Sequence, residues 1–338
     1  MSSRQFSPGW TTRLRPTRRS VLIGAGGLAL GTFAYSRARR PKSGPAVFIA
    51  KGQRYDAALG DTVREGLLAV GVDPAHLAGR RVVLKPNLVE PTRSSPHLTT
   101  NPAVVVAVAE AFLRWGASVV VGEGPGHVRD SDMALEESGM LDAIRAHRLH
   151  FADLNYEDVD LVKNRGGASR ADGFFLPRTV LEADLIVSIP KLKTHHWMGM
   201  TASLKNLYGV LPGVVYGWPK NVLHQLGIPQ TVFDIQASLP TTLAVVDAID
   251  CMEGDGPIMG DLKPMGLILV GNNTTAVDAT CARIMGVEPV RVPYLRLADG
   301  RLGPTSDSLI DQRGEPWRPQ VRPFQFVDYT VARGTPPA

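Results

Sequence analysis

The feature that most constrains the fold is a set of short apolar runs that do not alternate in polarity. Val47–Ala50, Arg81–Leu84, Ser118–Val121, Asp184–Ile189, Thr242–Val246 and Gly266–Val270 are rich in β-branched residues and bounded by Gly, Pro, Asn or Asp. A strand with one wet face alternates apolar and polar residues. Strands apolar on both sides are covered on both sides, as in parallel or mixed sheets. Between them, Pro102–Trp115 and Thr274–Met285 have helical length and periodicity. Pro102 suits a first helical turn, with Asn101 or Thr100 as its cap. The expected fold class is α/β: a layered parallel or mixed sheet with helices on both faces. The rhythm breaks from His195 to Pro229, where aromatic residues, glycines and prolines replace the strand–helix pattern. That stretch reads as a loop-rich insertion that forms a site.

The first forty residues have a different character. Arg18-Arg19 precede the uncharged, Gly/Ala-rich segment Ser20–Ser36, and Arg37, Arg39 and Arg40 follow it. An arginine pair before a short, mildly apolar segment is how a twin-arginine export signal reads. The segment is too short and glycine-rich for a membrane span. Ala34 and Ser36 fit cleavage before Arg37. Val21 and Ile23 stand where that pattern usually has Phe and Lys. The expected organisation is a leader over residues 1–42, an α/β domain over 43–299 and a Pro/Arg-rich tail over 300–338. The expected location is the periplasm or cell exterior, reached through the twin-arginine translocase. An uncleaved leader would instead anchor the chain.

The leader also carries the charge. Nine Arg and Lys residues and no carboxylate lie in residues 1–42, so removing them from the formal +5 leaves residues 43–338 at −4. A slightly acidic body offers no footprint for a phosphate backbone, so nucleic acid is not an expected partner. Later apolar runs are of buried-strand length, so no transmembrane domain is expected in the mature chain. The two cysteines, Cys251 and Cys281, cannot hold an iron–sulfur cluster, which takes about four protein ligands. They could pair or remain separate buried thiols.

In α/β sheets ligands gather beyond the carboxyl ends of strands. Lys85-Pro86-Asn87 follow the second run, Gly122-Glu123-Gly124 the third and Pro190-Lys191-Leu192-Lys193-Thr194-His195-His196 the fourth. Lys85, Lys191, Lys193, His195 and Lys205 would make a positive site for a carboxylate or phosphate. Because Lys191 and Lys193 sit at a strand end, one of them could simply point to water. Asp250, Glu253 and Asp255 fall in what reads as a glycine-rich turn, where oxygen ligands suit a divalent cation. They could instead pair with the lysines and tune one as a base, or form a solvated acidic loop. A metal site on His195-His196 would need His224 or His127 as a further ligand. Gly122–Gly126 meets neither the dinucleotide nor the P-loop pattern, and no nucleophile elbow, HExxH or paired CxxC occurs.

The runs KPNLV, TTNPAVVVAVAEAFLRWGASVVVGEG, ADLIVSIPKLKTHHWMGMTASLKNLYG, VVDAIDCMEGDGPIMG and GNNTTAVDAT resemble the family catalogued as domain of unknown function 362, from about Lys85 to Gly286. The resemblance implies an α/β domain and, in many relatives, an attached ferredoxin-like iron–sulfur module. This chain lacks that module. What carries over is position: Lys85, Asn87, Lys191, Lys193, His195, Lys205, Asn206, Glu253, Gly254 and Gly256. Two readings follow. The first is an exported enzyme that binds a small anion through Lys85, Asn87, Asn206, Lys191 and Lys193, with His195 or Lys205 as acid/base. In it, Asp250, Glu253 and Asp255 hold a cation or set a lysine's pKa. The second is a non-catalytic ligand carrier, or an accessory to an iron–sulfur redox system on a partner chain.

Overall fold

The computed structural model describes residues 44–327. The leader lies outside the described residues. Ten strands form one large mixed sheet. Its main path uses β1 (Ala46–Ala50), β2 (Arg81–Lys85), β3 (Ser118–Glu123), β4 (His150–Asp153), β7 (Leu185–Ser188), β10 (Thr242–Glu253), β11 (Asp261–Gly271) and β12 (Asp311–Gly314). Their spatial order is β12-β1-β11-β10-β7-β2-β3-β4, while β8 (Lys191–His195) pairs with β10 and with β9 (Gly199–Thr201). A separate antiparallel pair is β5 (Val159–Lys163) with β6 (Gly173–Pro177). Most pairings in the large sheet are parallel; β1–β11, β10–β11 and β8–β9 are antiparallel. The α/β fold expected from the apolar runs is the fold observed.

Burial explains the missing alternation. Ala46 and Phe48 of β1, Val82 and Leu84 of β2, and Ile268 and Val270 of β11 pack on one side of the sheet. Val47, Ile49, Val83, Leu267 and Leu269 pack on the other. The first side is covered by helices Leu59–Ala69, Pro102–Arg114 and Met140–Ala146. The second is covered by Ile228–Ser238, Thr274–Ile284 and Pro293–Ala298. Each fully covered Val, Leu or Ile contributes about 1.5–3 kcal/mol. The Pro102 helix starts as expected, with Asn101 Oδ1 accepting from Ala103 N.

Three expectations change. β10 runs on to Glu253 and pairs with β11 as far as Asp261, so Asp250 and Glu253 are strand residues rather than members of a turn. Being three apart on a strand, they project from opposite faces. Residues 311–314, within the expected tail, form β12 and add a parallel edge strand to β1. Lys191 and Lys193 are both fully buried, so neither points to water. Two residues apart on a strand, they share a face.

The parallel strands bring their carboxyl ends to one edge. Lys85 is in register with Ser188, and Glu123 closes β3 beside Asp153 of β4. Pro86 ends β2, since proline cannot continue the ladder. The segment from Lys191 to Gln225 folds over this edge as the β8–β9 hairpin and a chain of short helices.

Candidate functional site

A cavity of about 300 Å³ opens at this edge. Lys85, Asn87, Glu123, Lys205, Asn206 and Lys220 supply its charged and amide lining. His127, His195, His196, His224, Trp197 and Tyr208 supply its rings. Its size lies at the lower end of small-molecule sites.

Lys85 and Glu123 form its floor. Lys85 Nζ lies 2.6 Å from Glu123 Oε1 and donates to Pro86 O at 2.6 Å. Glu123 also accepts from Leu88 N at 3.1 Å and Gly124 N at 2.8 Å. Gly209 makes this arrangement possible: a Cβ there would lie 2.7 Å from Lys85 Nζ and 2.9 Å from Glu123 Oε1. Burial lowers the Lys85 ammonium below its ordinary range, and Glu123 opposes that shift.

An amide pair stands beside them. Asn206 Nδ2 donates to Lys85 O at 2.9 Å and Ser188 Oγ at 3.1 Å, which fixes its oxygen as the acceptor from Asn87 Nδ2 at 3.2 Å. Asn87 Oδ1 is then a buried acceptor without a partner among the described residues. Most buried polar atoms are satisfied, so such an atom calls for a ligand or water donor.

Lys205 sits on the short helix Ser203–Asn206, whose first amides, Ser203 N and Leu204 N, donate to the buried Asp278 carboxylate at 2.7 and 3.0 Å. Lys205 Nζ rests 4.2 Å from the Tyr208 ring centroid. It has no hydrogen-bond acceptor among the described residues. Burial, reinforced by Lys85, lowers its pKa to about 8. Ring stacking at short range favours a cation, so Tyr208 holds the protonated amine in place.

Lys220 completes the cationic set and was not among the residues singled out from sequence. Its side chain donates to Leu211 O and to Asn155 Oδ1. It is 2% exposed, and burial brings its pKa to about 7. Its backbone is left-handed at φ 66° and ψ 44°, which costs a non-glycine residue roughly 1–2 kcal/mol. The surrounding fold therefore holds this buried lysine against local strain. Pro219-Lys220 alone carried no signal that could have revealed it.

The histidines contribute rings rather than charge. His195 closes β8, and its Nδ1 accepts from Trp197 N at 3.2 Å, which leaves the ring proton on Nε2. Burial holds its pKa well below 6.5, and His224 falls to about 4. His224 lies 5.5 Å from the Trp197 ring and stacks at 5.9 Å on Tyr208, giving the cavity an aromatic wall.

Other sequence-selected residues lie outside this lining. Lys191 and Asp247 form a fully buried ion pair at 2.7 Å, joined by Tyr55, whose hydroxyl accepts from Lys191 and donates to Asp247 at 2.9 Å. Asp247 also accepts from Asn101 N at 2.9 Å and so ties down the start of the Pro102 helix. Lys193 Nζ donates to the carbonyls of Leu98 and Pro257 at 2.7 and 3.2 Å. Burial and the neighbouring Lys191 lower its pKa to about 7. The carboxylates expected to hold a cation do not converge. Glu253 pairs with Lys263 at 3.0 Å, Asp255 faces His196 at 3.5 Å, and Asp250 N donates to Tyr55 Oη. Among the described residues, no three His, Cys, Asp or Glu side chains are placed to share a metal ion. Cys251 and Cys281 are buried free thiols. No helix among the described residues is long and apolar enough to cross a membrane.

The thylakoid-associated protein sll1697 of Synechocystis sp. (strain ATCC 27184 / PCC 6803 / Kazusa) is 30% identical over 277 residues, covering 76% of this chain and 82% of that protein. Among solved structures, the lactate racemase apoprotein from Thermoanaerobacterium thermosaccharolyticum aligns at TM-score 0.43 and 13% identity, over 71% of this chain. This chain spans 57% of that one. The family described as Domain of unknown function (DUF362) matches residues 82–283, more than half of the chain and all of the cavity lining, and the chain belongs to that family.

Proposed function

We propose that this chain is an enzyme that binds a small organic anion in the Lys85–Lys205–Lys220 cavity and uses Lys205 as its acid/base. The observation that carries this reading is Lys205 itself: an amine in the cavity wall, close to Tyr208, with no acceptor among the described residues. Three lysines face a single lining carboxylate, Glu123, which is already paired with Lys85. The unbalanced charge favours an anion. Lys85 and Lys220 each spend bonds on the protein yet keep an ammonium field on the cavity. Asn87 Oδ1 offers an acceptor for a hydroxyl or amine donor. His195, neutral with its proton on Nε2, acts as a hydrogen-bond donor rather than a base. A lysine whose pKa lies near the working pH is suited to move a proton.

The test is thermal denaturation of the full chain with benzoate, phenylpyruvate, malonate or phenyl phosphate. At about 100 times its Kd a ligand adds roughly 2.7 kcal/mol, so a cavity ligand raises Tm by several degrees. The shift is reduced in Lys205→Met. If none of the four anions stabilises the wild-type chain, or the variant responds equally, the reading fails.

Residues 1–42 are part of the same proposal, as a twin-arginine leader that delivers the folded chain across a membrane. The thylakoid-associated name of the Synechocystis relative fits a chain that works at a membrane. Intact mass of protein from the exported fraction tests this: a chain starting near Arg37 supports cleaved export, and a chain found only inside the cell with its leader opposes export.

A further inference from the structure

We propose that Lys205 is a nucleophile: its Nζ condenses with the carbonyl of a 2-oxo acid bearing an apolar or aromatic side chain, forming an imine in the cavity. The inference rests on the anion-binding reading above, names the substrate class, and gives Lys205 a covalent role in place of the acid/base one.

Of the three lysines lining the cavity, two are tied down. Lys85 is held by Glu123 Oε1 and Pro86 O, and Lys220 by Leu211 O and Asn155 Oδ1. Lys205 has no hydrogen-bond acceptor among the described residues and rests on the Tyr208 ring, so no hydrogen bond has to break for its nitrogen to reach a bound carbonyl carbon. No lining carboxylate stabilises its proton, since Glu123 is engaged by Lys85. Burial and Lys85 together lower its pKa to about 8, so a useful share of the amine is neutral near neutral pH. Burial in cationic surroundings is how imine-forming lysines are activated.

The substrate class follows from the rest of the wall. The fields of Lys85 and Lys220 suit a carboxylate. The Trp197–His224–Tyr208 face suits an apolar or aromatic substituent, and about 300 Å³ is ample for one. In the condensation a C=N bond replaces the C=O bond. Both Nζ protons leave with the oxygen as water, and no oxidant or reductant is consumed. Protonation of the imine gives an electron sink for bond cleavage at the neighbouring carbon.

Sodium borohydride reduces an imine to a stable secondary amine, so the full chain is incubated with phenylpyruvate, reduced, and mapped by peptide mass spectrometry. The expected result is one saturable adduct on Lys205, about tenfold or more enriched over any other lysine. Phenyllactate, which lacks the carbonyl, competes with labelling but leaves no adduct. Lys205→Arg keeps the charge and the phenylpyruvate-induced rise in Tm while losing the adduct. Labelling spread over exposed lysines such as Lys51 and Lys163, or centred on Lys220, overturns the proposal. A Tm rise with phenylpyruvate but no adduct also overturns it and leaves the anion-binding reading standing. If neither phenylpyruvate nor the other anions stabilise or label the chain, both fail.

Discussion

Lys85 Nζ lies 2.6 Å from Glu123 Oε1, at side-chain exposures of 1% and 2%. The pair joins the ends of two adjacent parallel strands and forms the floor of the cavity. A buried pair adds little to net stability, because desolvation offsets the attraction, but removing one partner strands a buried charge. Lys85→Met is therefore expected to cost about 3–5 kcal/mol in urea denaturation. Lys85→Met with Glu123→Leu should recover a large part of that loss. A single variant as stable as wild type would mean that the Lys85–Glu123 pair does not hold the two strand ends together.

Lys220 is held at φ 66°. Lys220→Gly removes the ammonium and also the steric cost of that conformation, about 1–2 kcal/mol. The glycine variant should fold at least as stably as Lys220→Ala, while both lose affinity for the anion probes by about tenfold, the loss of one charge-assisted contact. Calorimetric titration of both variants checks this. Unchanged affinity would confine Lys220 to a structural role.

The charge of the cavity is carried by lysines rather than by His195 and His224, whose pKa values burial depresses, that of His224 to about 4. Lys205 and Lys220 stand near 8 and 7. An anion prefers the protonated amines, so its affinity is greatest below pH 7 and falls as pH rises from about 7 to about 9. Titration with benzoate at several pH values should show that fall, and Lys205→Met should lose the upper part of it. A decline completed below about pH 6.5 would assign the binding charge to a histidine instead.

Asp278 holds the Lys205 helix from a distance, through Ser203 N and Leu204 N. Burial raises its carboxyl from 3.8 to about 7, against the opposing pull of those two amides. Between these values the folded chain keeps a proton that the unfolded chain has released. This group's contribution to stability therefore declines as pH rises from about 4 to about 7. Asp278→Asn cannot titrate, so the stability gap between wild type and variant should change across that window in this direction. Urea midpoints at intervals of one pH unit would show it. A constant gap would mean that the carboxyl is ionised throughout. The variant should also blunt borohydride trapping at Lys205 while leaving far-ultraviolet circular dichroism intact.

The apolar runs by themselves determined the layered α/β sheet, because a strand covered on both faces must be apolar at every position. They also located the carboxyl ends of β2, β3 and β7, and with them Lys85, Glu123 and the segment that carries His195 and Lys205. What local pattern could not record is which charge meets which. Lys191 and Asp247 pair across 56 residues, and that pairing withdraws Lys191 from the cavity its motif suggested. Asp250 and Glu253 are separated because β10 continues along β11, a consequence of long-range pairing that no glycine count reveals. Lys220 enters the cavity, and Asp278 reaches the Lys205 helix 73 residues away, only once the insertion has folded over the sheet edge; Lys205 and Asp278 share no sequence pattern. A sheet is written in the burial of its own strands, whereas a site depends on the partners that tertiary packing brings to it.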